Sequence, residues 1–195
     1  MPKKITKSSN YKIKSVGIIG VGKLGATLCF AFDILNILKL VVSRNEKKIS
    51  HLQKHTNSNF KGFNSINEIN VFPNIIFITV PDAEIKNIAQ ELASKFPEKL
   101  SKTIFIHCSG TLGLDVLEPL KDTSEGIAVM HPFQTFFNYD AIDLMEIAWT
   151  IECSEHLKPV LKNMIEPFEA KITFVDEIRK FDKKSYHLSA IFASN

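Results

Sequence analysis

The chain has 195 residues, 45% of them hydrophobic and 23% charged, with a formal net charge of +3. That is the composition of a soluble globular chain, long enough for one domain and part of a second, with no internal repeat or low-complexity segment. No run of about eighteen apolar residues occurs, so no membrane span is expected. The three cysteines, Cys29, Cys108 and Cys153, lie far apart without C-x-x-C spacing, which suits reduced thiols in the cytoplasm.

Residues 1–13 read as a flexible basic tail: Lys3, Lys4, Lys7 and Lys12 occur with no apolar run behind them, unlike a signal peptide. A solvated tail is expected there rather than a nucleic-acid contact. Strand-like and helix-like segments then alternate. Ser15–Gly20 is a short apolar run ending in glycine, a buried strand. Lys23–Asn36 has helical length and spacing. Leu38–Ser43 is a strand, Asn45–His55 a polar helix, and Asn57–Pro73 irregular. Asn74–Val80 is a strong strand, Asp82–Phe96 an amphipathic helix and Lys102–Cys108 another strand. Leu112–Leu120 is a short helix weakened by Pro119. Gly126–Phe133, Ala148–Glu152 and Lys171–Val175 are strands, with a helix at Glu155–Phe168 between the last two. Apolar strands alternating with helices predict an α/β fold: a doubly wound, mostly parallel sheet with helices on both faces.

The first strand runs into Gly20, Val21, Gly22, Lys23, Leu24 and Gly25, a G-x-G-x-x-G loop that opens a helix. In that context the first glycine permits a tight turn, the second lets backbone approach a pyrophosphate, and the third lets helix and strand pack closely. The helix N-terminus adds N–H groups and positive dipole for the anion. A glycine turn without a ligand is the alternative. The second strand ends in Ser43, Arg44 and Asn45 where an NAD site usually has a carboxylate. Arg44 can pair with a 2′-phosphate and stack on adenine, and Ser43 and Asn45 can donate further hydrogen bonds, so NADP(H) is expected over NAD(H).

Ligands of open parallel sheets sit beyond the C-terminal strand ends. Val80 and Pro81 would lie beneath the cofactor, and Asp82 reads as the N-cap of the following helix. Ser109, after the next strand, is placed to donate to a substrate carbonyl or carboxylate; an ordinary Ser-Gly turn explains it as well. Nothing marks Cys108 as a low-pKa nucleophile. His131 is either an acid–base group or a structural histidine before Pro132. No metal is expected: His107, Cys108 and His131 lack a recognised ligand spacing, and His51 and His55 lack the glutamate of H-E-x-x-H.

The stretches "VGIIGVGKLGATL", "ITVPDAEI", "IHCSGTLGLDVL", "MHPFQTF" and "YHLSAIFASN" occur in order. Together they resemble the Rossmann-like NADP oxidoreductase-type family whose C-terminal half is a helical domain of unknown function. More distantly the chain is similar to pyrroline-5-carboxylate reductase, to hydroxyisobutyrate-type dehydrogenases and to deazaflavin-dependent NADP oxidoreductases. The resemblance implies residues 14–178 as the cofactor domain and 179–195 as the start of a long linker helix. It further implies that the chain is truncated before a helical domain that supplies a homodimer contact and one wall of the cleft. Lys183 matches by position a lysine that faces substrate in the hydroxyacid dehydrogenases, and His187 stands where their asparagine would be. The implied activity is hydride transfer between NADP(H) and a small carbonyl, imine or hydroxy substrate. Lys183 or His131 would move the proton and Ser109 would orient the substrate. A dinucleotide-binding or sensor module without turnover is the alternative.

Overall fold

The computed structural model describes residues 13–136 and 144–178. Its strands are β1 (Val16–Ile19), β2 (Leu38–Val42), β3 (Lys61–Phe63), β4 (Ile75–Ile78), β5 (Ile104–His107), β6 (Gly126–Pro132), β7 (Ala148–Cys153) and β8 (Lys171–Phe174). Its α-helices are α1 (Lys23–Ile34), α2 (Glu46–His55), α3 (Asp82–Lys95) and α4 (Lys158–Ile165). Among the described residues they form one eight-stranded sheet in the order β3-β2-β1-β4-β5-β6-β7-β8. β1 to β6 run parallel, β7 is antiparallel to β6, and β8 is parallel to β7.

The strand sequences explain why both faces are covered. Successive side chains point to opposite faces, so an unbroken apolar strand must bury both. In β4, Ile75 and Phe77 join one core with Phe32 of α1, Leu52 of α2 and Leu161 of α4. Ile76 and Ile78 join the other, with Ile85 and Leu92 of α3 and Leu117 of the 3-10 turn Leu114–Leu120. All four β4 residues are essentially inaccessible, so each isoleucine contributes roughly 1.5–3 kcal/mol of apolar burial. Lys158 ion-pairs with Glu155 and Asp176 and lies over the Phe174 ring, fastening α4 to the end of β8.

Two parts of the sequence reading change. The stretch Asn57–Pro73 is not wholly irregular: it contains β3 and a 3-10 turn at Ile66–Glu68. Asp82 does not cap α3. Pro81 holds that position, and the Asp82 side chain is drawn away by Ser109 and Thr111 in the loop after β5. The sheet order reverses direction between β1 and β4, which opens a crevice at their C-terminal ends.

Candidate functional site

The glycine loop fills that crevice. Gly20 has φ of +99°, a left-handed conformation suited to glycine, and a Cβ there would lie 2.8 Å from the backbone nitrogen of Val80. A Cβ on Gly25 would sit 2.1 Å from the Gly20 carbonyl oxygen, so the third glycine lets α1 press onto the loop. Gly22 differs: the nearest protein atom to its Cβ would be the Thr79 carbonyl at 3.8 Å. Its open side faces a cleft of about 510 Å³ bordered by Gly20, Gly22, Arg44, Lys48 and Val80. A cradle that a Cβ would fill, at the start of a 12-residue helix with no acidic residue in its first turn, fits a phosphate group.

The end of β2 forms the next wall. The Ser43 amide donates to the Phe63 carbonyl of β3, and the Ser43 hydroxyl accepts from the Asn45 amide. Asn45 caps α2 through its side-chain oxygen, which accepts from the Lys47 amide at 3.1 Å. Those contacts leave Arg44 exposed beside the cleft, with no ion-pair partner among the described residues. Lys48, one turn into α2, donates to the Val21 carbonyl at 2.7 Å and brings a second cation to the glycine loop.

Beyond β4 and β5 lies a smaller cleft of about 330 Å³, bordered by Gly22, Lys23, Pro81, Asp82, Cys108 and Ser109. Ser109 donates its hydroxyl to Asp82 Oδ2 at 2.7 Å, and Thr111 donates to the same oxygen at 3.0 Å. The Ser109 oxygen in turn accepts from the amides of Thr111 and Leu112, each at 3.2 Å. His107 is fully buried beneath this loop. Its Nδ1 accepts from the Ser109 amide and its Nε2 faces the Gly113 carbonyl at 2.9 Å, so the neutral tautomer with the proton on Nε2 is the one these partners require. His131, half-buried near the end of β6, faces the Cys108 carbonyl through Nδ1 at 3.1 Å. A carbonyl only accepts, so Nδ1 carries the proton and Nε2 is the basic nitrogen of the neutral ring. Burial pushes the Cys108 thiol well above its ordinary range, the opposite of nucleophile activation. Among the described residues, no group of three His, Cys, Asp or Glu side chains is placed to hold a metal ion.

A family model for the Rossmann-like domain matches residues 3–132. The chain belongs to the Rossmann-like domain family. No curated protein matches the sequence. Solved structures share the fold. A Bacteroides fragilis protein named as a candidate NADP oxidoreductase is 21% identical, with TM-score 0.71, over 93% of this chain and 66% of its own. Prephenate dehydrogenase from Aquifex aeolicus, solved with hydroxyphenyl propionate and NAD+, is 16% identical with TM-score 0.70, over 85% of this chain and 60% of that one. A pyrroline-5-carboxylate reductase from Coxiella burnetii is 14% identical with TM-score 0.61, over 84% and 59%. This Rossmann-like chain therefore spans about two thirds or less of the length of these proteins.

Within the Rossmann-like domain, the expected cofactor residues Gly20 to Leu24, Ser43 to Asn45, Val80 and Pro81 border the two clefts, and Gly25 is buried behind the loop. Ser109 lies in the loop just after β5, and His131 lies near the end of the adjacent strand β6. Lys183 and His187 lie outside the described residues. Sequence reasoning missed Lys48, whose only local sign was a basic pair after the α2 cap. It also missed the partnership of Asp82 with Ser109, because a carboxylate at a helix start reads locally as a cap. Among the described residues no helix is long and apolar enough to cross a membrane.

Proposed function

We propose that this chain is the cofactor-holding part of an NADP(H)-dependent oxidoreductase that acts on a small carbonyl, imine or hydroxy substrate. The observation that carries the reading is the basic end of β2. Arg44 and Lys48 border the same cleft as Gly20 and Gly22, and no carboxylate occurs among Ser43, Arg44 and Asn45. When bound, the nicotinamide dinucleotide supplies or accepts the hydride.

The chain's own groups divide the remaining work. Backbone amides of the Gly20–Gly25 loop hold the pyrophosphate, and the guanidinium of Arg44 with the ammonium of Lys48 holds a 2′-phosphate. Ile66, Val80 and Ile88 border the same cleft and offer an apolar bed for the adenine ring. His131 exchanges a proton through Nε2, and Ser109, whose hydroxyl proton is committed to Asp82, acts on the substrate only by positioning that carboxylate. Lys183 and His187 enter this proposal only through the family resemblance. The helical domain that the family resemblance implies would close the site and supply a homodimer contact. The fold likeness to oxidoreductases in the structural comparison supports the reading.

Calorimetric titration of the chain with NADPH and NADH tests the cofactor. NADPH should bind at least about tenfold more tightly, in keeping with the few kcal/mol available from a charge-assisted phosphate contact. Equal or tighter binding of NADH, or no binding of either, sinks the proposal. Binding without NADPH consumption by any small carbonyl or imine would favour a sensor module instead.

A further inference from the structure

Donors and acceptors around Asp82 narrow the class of substrate; the argument rests on the oxidoreductase reading above. Both hydroxyl protons of the loop after β5 are committed. Ser109 and Thr111 each direct theirs to Asp82 Oδ2. The Ser109 oxygen is also occupied, by two backbone amides. No hydroxyl proton of this pair is therefore left for a substrate carbonyl or carboxylate. The other carboxylate oxygen, Asp82 Oδ1, has no partner among the described residues, and Asp82 borders the smaller cleft. A loop clasp alone uses only Oδ2. The second oxygen is an acceptor carrying charge at the margin of the cleft.

We propose that the substrate is recognised as a cation, a protonated imine or the corresponding amine, whose N–H group donates to Asp82 Oδ1. A carbonyl oxygen or a carboxylate brought to the same place would set an acceptor against an acceptor, which is unfavourable. Lys23 is the only cation among the described residues that border this cleft, and Asp82 the only acid. Lys23 stands in the first turn of α1 beside Gly22, on the wall assigned to the dinucleotide phosphates. The cleft thus separates an anion-holding side from a cation-holding side. Asp82 is exposed, so solvent limits the discrimination to a few-fold.

The test uses the isotope-labelled full chain with saturating NADP+, near neutral pH. Pyrrolidine, which is protonated there, is titrated beside cyclopentanone and cyclopentanecarboxylate, and the amide signals of Ser109 and Thr111 are followed by NMR. The cation should bind roughly fivefold more tightly than the ketone, and the carboxylate most weakly. Asp82→Asn keeps an oxygen for both hydroxyls but loses the charge; it should melt close to the parent and lose the preference. Asp82→Ser serves as a second uncharged variant should the amide disturb the loop. Equal affinities, a preference for ketone or carboxylate, or a preference that survives both substitutions overturns the inference. Repeating the titration without dinucleotide separates the two claims. Absence of NADP+ binding counts against the oxidoreductase reading, whereas loss of cation preference with NADP+ bound counts against Asp82 alone.

Discussion

The Thr79 hydroxyl donates to the Gly20 carbonyl at 2.6 Å, and this contact ties the end of β4 to the glycine loop at the end of β1. The same hydroxyl lies 3.3 Å from the Ile19 carbonyl. Thr79→Val keeps the shape and removes the donor. It should destabilise the domain by about 1 kcal/mol and loosen the loop, whereas Thr79→Ser should retain most of the stability. Urea unfolding of both variants, with hydrogen exchange at the loop amides, checks the contrast.

Gly22 and Gly25 should fail in different ways. A methyl group on Gly25 meets the Gly20 carbonyl at 2.1 Å, so Gly25→Ala requires a backbone shift and should cost about 1–3 kcal/mol of stability. A methyl on Gly22 meets no protein atom nearer than 3.8 Å. Gly22→Ala should therefore fold with nearly the parent stability, yet occupy space assigned to the phosphates and weaken dinucleotide binding by tenfold or more. Melting and calorimetry on the two variants separate the packing role from the binding role.

Much of this was legible in the sequence because it is local. The strand ends, the glycine spacing and the absence of an acid after β2 are each written within a few residues. What escaped notice depends on partners far along the chain. β3 is three residues long and lies at the sheet edge, so neither length nor alternation marks it. Asp82 looked like a cap because its partners Ser109 and Thr111 are 27 and 29 residues away. The antiparallel entry of β7 was equally hidden, since an apolar run does not state its direction.

The thiols predict an alkaline weakness. Burial, above all, pushes Cys153 from an ordinary value of 9.0 up to about 11, against an opposing pull from Lys158. The folded chain then holds this proton more tightly than the unfolded chain does. The resulting stabilisation is complete below the ordinary thiol value and is lost as pH rises through about 11. Burial likewise raises Cys29 and Cys108 beyond the ordinary range. Melting temperature should fall across this alkaline window, and fall less in Cys153→Ala than in the parent. An identical pH profile for the two proteins would contradict the assignment.

The central claim is that Arg44 reads a 2′-phosphate at the end of β2. The most direct measurement is the ratio of NADPH to NADH affinity in the parent and in Arg44→Ala, by calorimetry at one fixed salt concentration, since exposed charge pairs are screened. The account predicts that NADPH binding weakens by about tenfold or more while NADH binding changes little, so that the ratio collapses toward one. A ratio that stays the same in Arg44→Ala would contradict it, and would move the choice of dinucleotide to another part of the cleft.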